Sequence, residues 1–409
     1  MASLDVKRIR ADFPILEREV YPGVPLVYLD STATTQKPNI VLESMDSFYR
    51  NNNANIHRGI HVLAEESTAQ YESSREKVAD FIHAPSSKQL IFTRNTTDSI
   101  NLVSNTWGRV NLNQGDLVIL TEMEHHSNLV PWQMLAAERG IRLEFIPVTG
   151  TGLLDLQVYE QLLKQEPKLV AFTHMSNVLG TINPAREIIQ MAHAAGALTL
   201  VDGAQSVPHI PVDVIELDMD FLAFSAHKML GPTGIGVLYG KTDLLVDMPP
   251  FLGGGDMIKA VHLRNFTPNS LPHKFEAGTP AIAEGVGFAA AINYLEQVGM
   301  QQIESHEQTV IHYAMERLEE IPGVRLYGPS AKYKGAIATF VLDDIHPHDV
   351  SQVLDRYGLA VRAGHHCAQP LHEKLGIPAT TRASFYIYNT LQEVDKLVDG
   401  IYQVKKLFS

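Results

Sequence analysis

The sequence predicts an α/β protein: a mostly parallel sheet between helices, followed by a smaller α/β unit. Three observations lead there. Apolar runs of four residues recur at 117–120, 143–146, 169–172, 198–201 and 221–224, with helical periodicity between most of them. Strands that are apolar on both faces and alternate with helices belong to a parallel sheet covered on both sides. Polar clusters then follow the strands, at Thr96-Thr97, Glu124-His125-His126-Ser127-Asn128, Ser176-Asn177, Asp202-Gly203-Ala204-Gln205 and Ser225-Ala226-His227-Lys228. In such sheets ligands lie beyond the carboxyl ends of the strands, so five polar strand ends mark one edge as a site. Finally, from about Gly323 the pattern changes to a second, shorter set of strands and helices.

Taken in order, an amphipathic opening segment leads to a strand, Val27-Tyr28-Leu29-Asp30, and a polar turn over 31–38. Pro38, with its preset φ, starts a helical pattern that runs through Phe48. The asparagine-rich stretch 51–59, ending in His57-Arg58-Gly59, is too polar for core and reads as a loop of the kind that carries function. Residues 89–93 form a strand, 94–97 a tight turn, and Asp98 begins a helix. That arrangement aims backbone amides and the Thr96 and Thr97 hydroxyls out of a helix start, which suits a phosphate, although a capping threonine needs no ligand. The glycine-rich stretch 251–256 reads as a flexible turn, because it lacks the lysine and strand-to-helix context of a nucleotide loop. A turn over 275–280 enters a long helix, 282–298, expected to join the large unit to the small one. In the small unit 324–327 and 336–342 read as strands, 347–357 as a helix, 359–362 as a strand leading to Cys367, and 391–407 as a closing amphipathic helix.

Composition narrows the function. With 45% hydrophobic and 19% charged residues in 409, the chain is an ordinary globular one. Its formal net charge of −13 weighs against nucleic acid or an anionic membrane as a partner, since both select basic surfaces. No run approaches a membrane helix in length, and Asp12 interrupts the amino terminus before a signal-length apolar stretch. A single cysteine, Cys367, excludes an internal disulfide and fits a reducing compartment, so the cytoplasm is the expected location.

The chemistry centres on Lys228, which follows an apolar strand in the company of a hydroxyl, an imidazole and a glycine-rich bend. A lone lysine there is more often a solvated strand end. Asp202, at the end of the preceding apolar run, changes the balance, because a lysine able to form a Schiff base and an aspartate able to pair with a pyridinium nitrogen are what pyridoxal phosphate requires. The stretch from Phe224 to Gly236 resembles fold-type I pyridoxal phosphate enzymes, in particular the class V aminotransferase group. Arg362-Ala363-Gly364-His365-His366-Cys367 is similar to the Arg-X-Gly-His-His-Cys motif of SufS-type (group II) cysteine desulfurases. The likeness runs from Val27 to Ser384 and includes His57-Arg58-Gly59, Glu124-His125-His126 and Asn177.

That resemblance implies a fold-type I transferase with a large cofactor domain over 26–282, built on a seven-stranded sheet, and a small domain over 283–409 that carries the cysteine loop. Residues 1–25 would pack with the small domain, and two chains would form a homodimer with the site near their interface. Lys228 would hold the cofactor, Asp202 would keep its ring nitrogen protonated, His125 would stack on the ring and manage protons, and Gln205 would reach the phenolic oxygen. Thr96, Thr97, Ser225 and His227 are the phosphate candidates, with Thr279 reaching the phosphate of the other subunit. Arg382, aided by Asn177 and with Arg362 beside it, would clamp the substrate carboxylate. Cys367, in a polar loop beside Arg362 that can stabilise a thiolate, would take the sulfur of L-cysteine as a persulfide and leave L-alanine. A sulfur acceptor of the SufE or SufU kind and iron–sulfur cluster assembly are the implied partner and purpose.

Two rivals share features of this reading. A selenocysteine lyase, or another β-eliminating lyase, would use every cofactor residue. An iron–sulfur assembly scaffold would keep the fold without the chemistry, against which Lys228, Asp202 and Cys367 all count. His365, His366 and Cys367 are also zinc-type ligands, yet three adjacent residues rarely face one ion and no CxxC or HxxxH spacing supports them, so no metal is expected.

Overall fold

In the computed structural model, which describes residues 4–408, the strand over 89–93 and the five apolar runs become β1 (Leu90–Thr93), β2 (Leu117–Thr121), β3 (Arg142–Ile146), β4 (Leu169–Thr173), β5 (Leu198–Asp202) and β6 (Phe221–Ser225), and a strand the sequence reading did not assign, β7 (Gly236–Gly240), joins them. They form one sheet in the order β1-β7-β6-β5-β4-β2-β3. Within it β7 runs antiparallel to both neighbours and the rest point one way, so six carboxyl ends share an edge. Crossovers run through the helices Val130–Arg139, Leu156–Leu163 and Ala185–Ala194, which cover the sheet. Local chemistry sets their ends. The Asp155 side chain caps the second by accepting from the Gln157 and Val158 amides, and Gly140 closes the first at φ 72°.

Alternate strand residues feed two cores. Leu117, Ile119, Val170, Phe172, Leu222 and Phe224 face one side of the sheet, and Val118, Leu120, Leu169, Ala171, Phe221 and Ala223 the other. Removing either buried phenyl, at Phe221 or Phe224, would cost roughly 3–5 kcal/mol. The sequence suggested that β3 is apolar on both faces, but it is the sheet's edge, where Arg142 is exposed and Phe145 is 37% exposed.

The small unit is a four-stranded antiparallel sheet in the order Val324–Tyr327, Ile337–Leu342, Thr380–Ser384, Arg362–Gly364. Helix Ile282–Val298 packs Phe288, Ile292 and Leu295 into the large core; the chain then turns at Gly299, φ 90°, and helix Met300–Glu319 delivers Val310, Ile311 and Leu318 to the small core. The amino-terminal segment touches both. Phe13 and Leu16 join the large core, Val27 and Leu29 join the small one, and Val27–Tyr28 pairs in parallel with Leu359–Ala360. Among the described residues no helix is long and apolar enough to cross a membrane.

Candidate active site

Beyond the common carboxyl edge, the two units enclose a cavity of about 360 Å³. Its lining includes Thr96, Thr97, His125, Asn177, Asp202, Gln205, Ser225, His227, Lys228, Arg362, Cys367 and Arg382, every residue given a cofactor, substrate or catalytic role above except Thr279, whereas His57 and Arg58 line a separate depression with Asp256. Thr279 is exposed on the segment after Glu276, beside Phe92 and Arg94, in a separate depression.

β6 ends in the short turn Ala226–Lys228, which delivers Lys228 into the cavity. Burial lowers its ammonium to about 8, with Arg382 and Arg362 adding to the effect and Asp202 and Cys367 opposing it. The His227 carbonyl, one residue earlier, accepts from the Thr35 amide, the Thr34 hydroxyl and the Lys37 ammonium at 3.0 Å each. The turn over 31–38 therefore braces the lysine, a role that its polar composition alone does not reveal.

Asp202 ends β5, 4% exposed, and its carboxylate accepts one hydrogen bond, from the Ala204 amide at 2.9 Å. Burial raises its carboxyl pKa, opposed by that amide and by Lys228. Gln205 donates to the Thr32 carbonyl at 2.8 Å while its Oε1 is buried without a partner. A buried carboxylate with a single donor and an orphaned amide oxygen are polar groups that a ligand must satisfy. They fit a ring whose protonated nitrogen would donate to Asp202 and whose phenolic O–H would donate to Gln205 Oε1. The other end of the cavity fits a phosphate: helix Thr96–Val103 opens into it, and Ser225 Oγ meets the Thr96 amide at 2.8 Å and its hydroxyl at 2.6 Å. The cap of that helix is Asn95, which accepts from the Asp98 amide, so Thr96 and Thr97 lie in the first turn instead of preceding the helix. Asn95 outcompetes threonine because its side chain reaches the amide from an extended backbone.

His125 receives the Ser127 amide on Nδ1 at 3.1 Å, which leaves its proton on Nε2. Burial, then Lys228, His126 and Arg382, hold its pKa down at about 3, so it is neutral. Glu124, just before it, is 2% exposed and ties two strand ends together, accepting from Thr121 Oγ1 at 2.6 Å, Asn128 Nδ2 at 2.7 Å and the Thr173 amide at 2.9 Å.

Cys367 arrives from the small unit. His366 and Cys367 both have left-handed backbones, φ 51° and 56°, a costly conformation for residues with side chains, held here by neighbours. The His126 amide donates to the Cys367 carbonyl at 2.7 Å, Asn177 Nδ2 donates to the His366 carbonyl at 2.6 Å, and His126 Nε2 receives the Gln369 amide at 3.0 Å. Asn177 therefore spends part of its side-chain amide on the cysteine loop, and its own carbonyl accepts Arg382 Nη1 at 2.8 Å. Arg382 is buried with its Nε unpartnered, a donor fit for a ligand carboxylate. Burial lowers the guanidinium to about 10, still charged at neutral pH. Sequence reasoning missed Asp30, which holds Arg362 and Arg382 together; no signal could have joined positions over 300 residues apart.

The aminotransferase class-V family model matches residues 27–397. A probable cysteine desulfurase of Streptomyces coelicolor is 52% identical over 410 residues, 99% of this chain and 98% of that protein. A cysteine desulfurase of Haloferax volcanii is 50% identical, again over 99% and 98%. Among solved structures, the cysteine desulfurase CsdA of Escherichia coli superposes with a TM-score of 0.91 at 40% identity, covering 99% of this chain and 100% of that one. The apo cysteine desulfurase of Thermococcus onnurineus gives 0.93 at 41%, over 99% of each. The chain belongs to the aminotransferase class-V family and is similar over its whole length to members named cysteine desulfurase.

Proposed function

We propose that this protein is a pyridoxal-phosphate-dependent cysteine desulfurase that converts L-cysteine to L-alanine and leaves the sulfur as a persulfide on Cys367, for iron–sulfur cluster assembly. The observation that carries this is the meeting, in one cavity, of Lys228 and Asp202 from the large unit with Cys367 and Arg382 from the small one. Bound there, pyridoxal phosphate supplies an electron sink for the carbon that bears the substrate amine.

The chain supplies the rest. Lys228 is the attachment point, and an amine lowered to about 8 gives up and regains a proton readily near neutral pH. Asp202 would pair with the ring nitrogen, Thr96, Thr97, Ser225 and His227 would serve the phosphate, and neutral His125, which holds its proton at Nε2, would lie against the ring. Arg382 orients the substrate carboxylate, with Arg362 and Asn177 at its side. The Cys367 thiolate attacks the substrate sulfur: a sulfur–sulfur bond forms, the carbon–sulfur bond breaks with its electron pair left on carbon, and that carbon takes a proton and departs in alanine.

A loop tethered at His126 and Asn177 holds Cys367 against the cavity yet leaves it exposed, which supports a dedicated protein acceptor of the SufE or SufU kind that reaches it from outside. A homodimer is supported by the hairpin Ile258–Val261 and Phe266–Pro268, which exposes Val261, Leu263 and Phe266 near the Arg58–Asp256 pair, and by Thr279, which lies outside its own chain's cavity and is free to serve another's. One free cysteine supports a cytoplasmic location. The test is Cys367→Ser. Cofactor absorbance is expected to persist while alanine formation and protein-bound sulfane sulfur both vanish; a variant that desulfurates cysteine at the wild-type rate would make the cysteine structural and the enzyme a different lyase.

A further inference from the structure

Arg362 and Arg382 stand directly opposite each other on adjacent antiparallel strands of the small sheet, where like charges repel. One carboxylate separates them. Asp30 receives Arg362 through Nε, 3.1 Å from each carboxylate oxygen, and through Nη2 at 2.8 Å, and receives Arg382 Nη2 at 3.2 Å. It is presented by the amino-terminal segment, bridged to Ser384 of the same sheet. The Asp30 side chain is 15% exposed, between those of Arg382 at 3% and Arg362 at 48%. Both guanidiniums line the cavity, and Asp30 stands behind them. Two cations and one anion leave one net positive charge, and it faces the cavity together with the unpartnered Nε of Arg382.

We propose that Asp30 sets the anion affinity of the site: it neutralises one of the two arginines, so that the pair offers a single positive charge to an amino-acid carboxylate, enough to orient the substrate and weak enough to release the product. This rests on the reading that Arg382 takes the substrate carboxylate. The competing role, in which Asp30 is only a brace for Arg382, has a different signature. Removing a charge-setting anion tightens the binding of carboxylates, whereas removing a brace loosens it.

The experiment is a charge cycle on the holoenzyme with 3-mercaptopropionate as the probe, which has the carboxylate and thiol of cysteine but no amine with which to condense. Its Kd is measured by calorimetry at fixed ionic strength in wild type, Asp30→Asn, Arg362→Gln and the double variant. The trio then carries one, two, zero and one positive charges. The expected result is a Kd about tenfold lower in Asp30→Asn, about tenfold higher in Arg362→Gln, and within about threefold of wild type in the double variant. A Kd that is unchanged or higher in Asp30→Asn, or a double variant weaker than Arg362→Gln, overturns the proposal. If Asp30→Asn alone does not fold, the other two variants decide, since the second substitution must tighten what the first loosened. Arg382→Gln separates the two readings: if it leaves the Kd unchanged, the carboxylate assignment itself fails; if it weakens binding while the cycle fails, only the role of Asp30 is lost.

Discussion

Glu124→Gln tests how the fold supports the site from behind. The carboxyl is buried between the ends of β2 and β4, and burial raises it from the usual 4.5 to about 8 although three hydrogen-bond donors, from Thr121, Asn128 and Thr173, oppose the shift. A carboxyl with a raised folded-state pKa binds its proton more tightly in the native protein than in the unfolded chain. Stability therefore falls as pH rises between 4.5 and 8, by roughly 5 kcal/mol if the whole shift is expressed. Glutamine does not titrate. It keeps one oxygen for Thr121 and Thr173 but sets an NH₂ against the Asn128 amide, which is itself fixed by Trp132 Nε1 donating to its oxygen at 3.2 Å. That donor–donor clash costs about 1–3 kcal/mol. The variant is therefore expected to be the less stable protein near pH 5.5, with the gap closing or reversing by pH 8.5. Urea unfolding of both proteins across that range checks this, and the difference between the two curves isolates Glu124 from the other titrating groups. A difference that stays flat with pH would refute the reasoning, because it would mean that Glu124 is charged throughout.

Two further predictions concern the reaction and the assembly. Asp202→Asn keeps an acceptor for the Ala204 amide but cannot carry the charge a ring nitrogen needs, so kcat is expected to fall by about 100-fold or more while the urea midpoint is maintained; near-normal turnover would reject the role. Leu263→Asp places a charge on the exposed hairpin, and sedimentation equilibrium is expected to show a dimer for the wild type and a shift toward monomer for the variant, with no shift placing the interface elsewhere.

What the sequence made legible follows burial. β2, β4 and β6 are buried on both faces, so their residues had to be apolar in unbroken runs, and Asp202 and Lys228 stood out as polar groups at the ends of such runs. The strand Thr380–Ser384 was not legible, since Thr-Thr-Arg-Ala-Ser has no apolar alternation; its hydroxyls and guanidinium are buried because partners elsewhere satisfy them, such as His366 and His372 on the Thr380 hydroxyl. The helix start was misread by two positions, at Asp98 instead of Thr96, because threonine and asparagine both suit the cap. The brace on the His227 carbonyl and the Asp30 bridge escaped for another reason. They join residues more than 180 positions apart, and periodicity carries no information at that range.

The amino-terminal segment that touches both cores has a consequence for the order of assembly. Arg10 donates to the Tyr388 carbonyl across 378 positions, and the Ser31 hydroxyl meets that of Tyr388 across 357. Contacts of such separation form late, because a long loop must close before they give any return. As the chain emerges from the ribosome, the strands that carry Asp202 and Lys228 can pair while Arg10 and Ser31 still lack Tyr388 and Asp30 lacks both of its arginines. The lysine and the residues that hold the His227 carbonyl are then present, but Arg382, Cys367 and Tyr388 have yet to be made. The candidate cavity is therefore closed by residues 10–31 meeting residues 362–388, and a nascent chain cannot hold it.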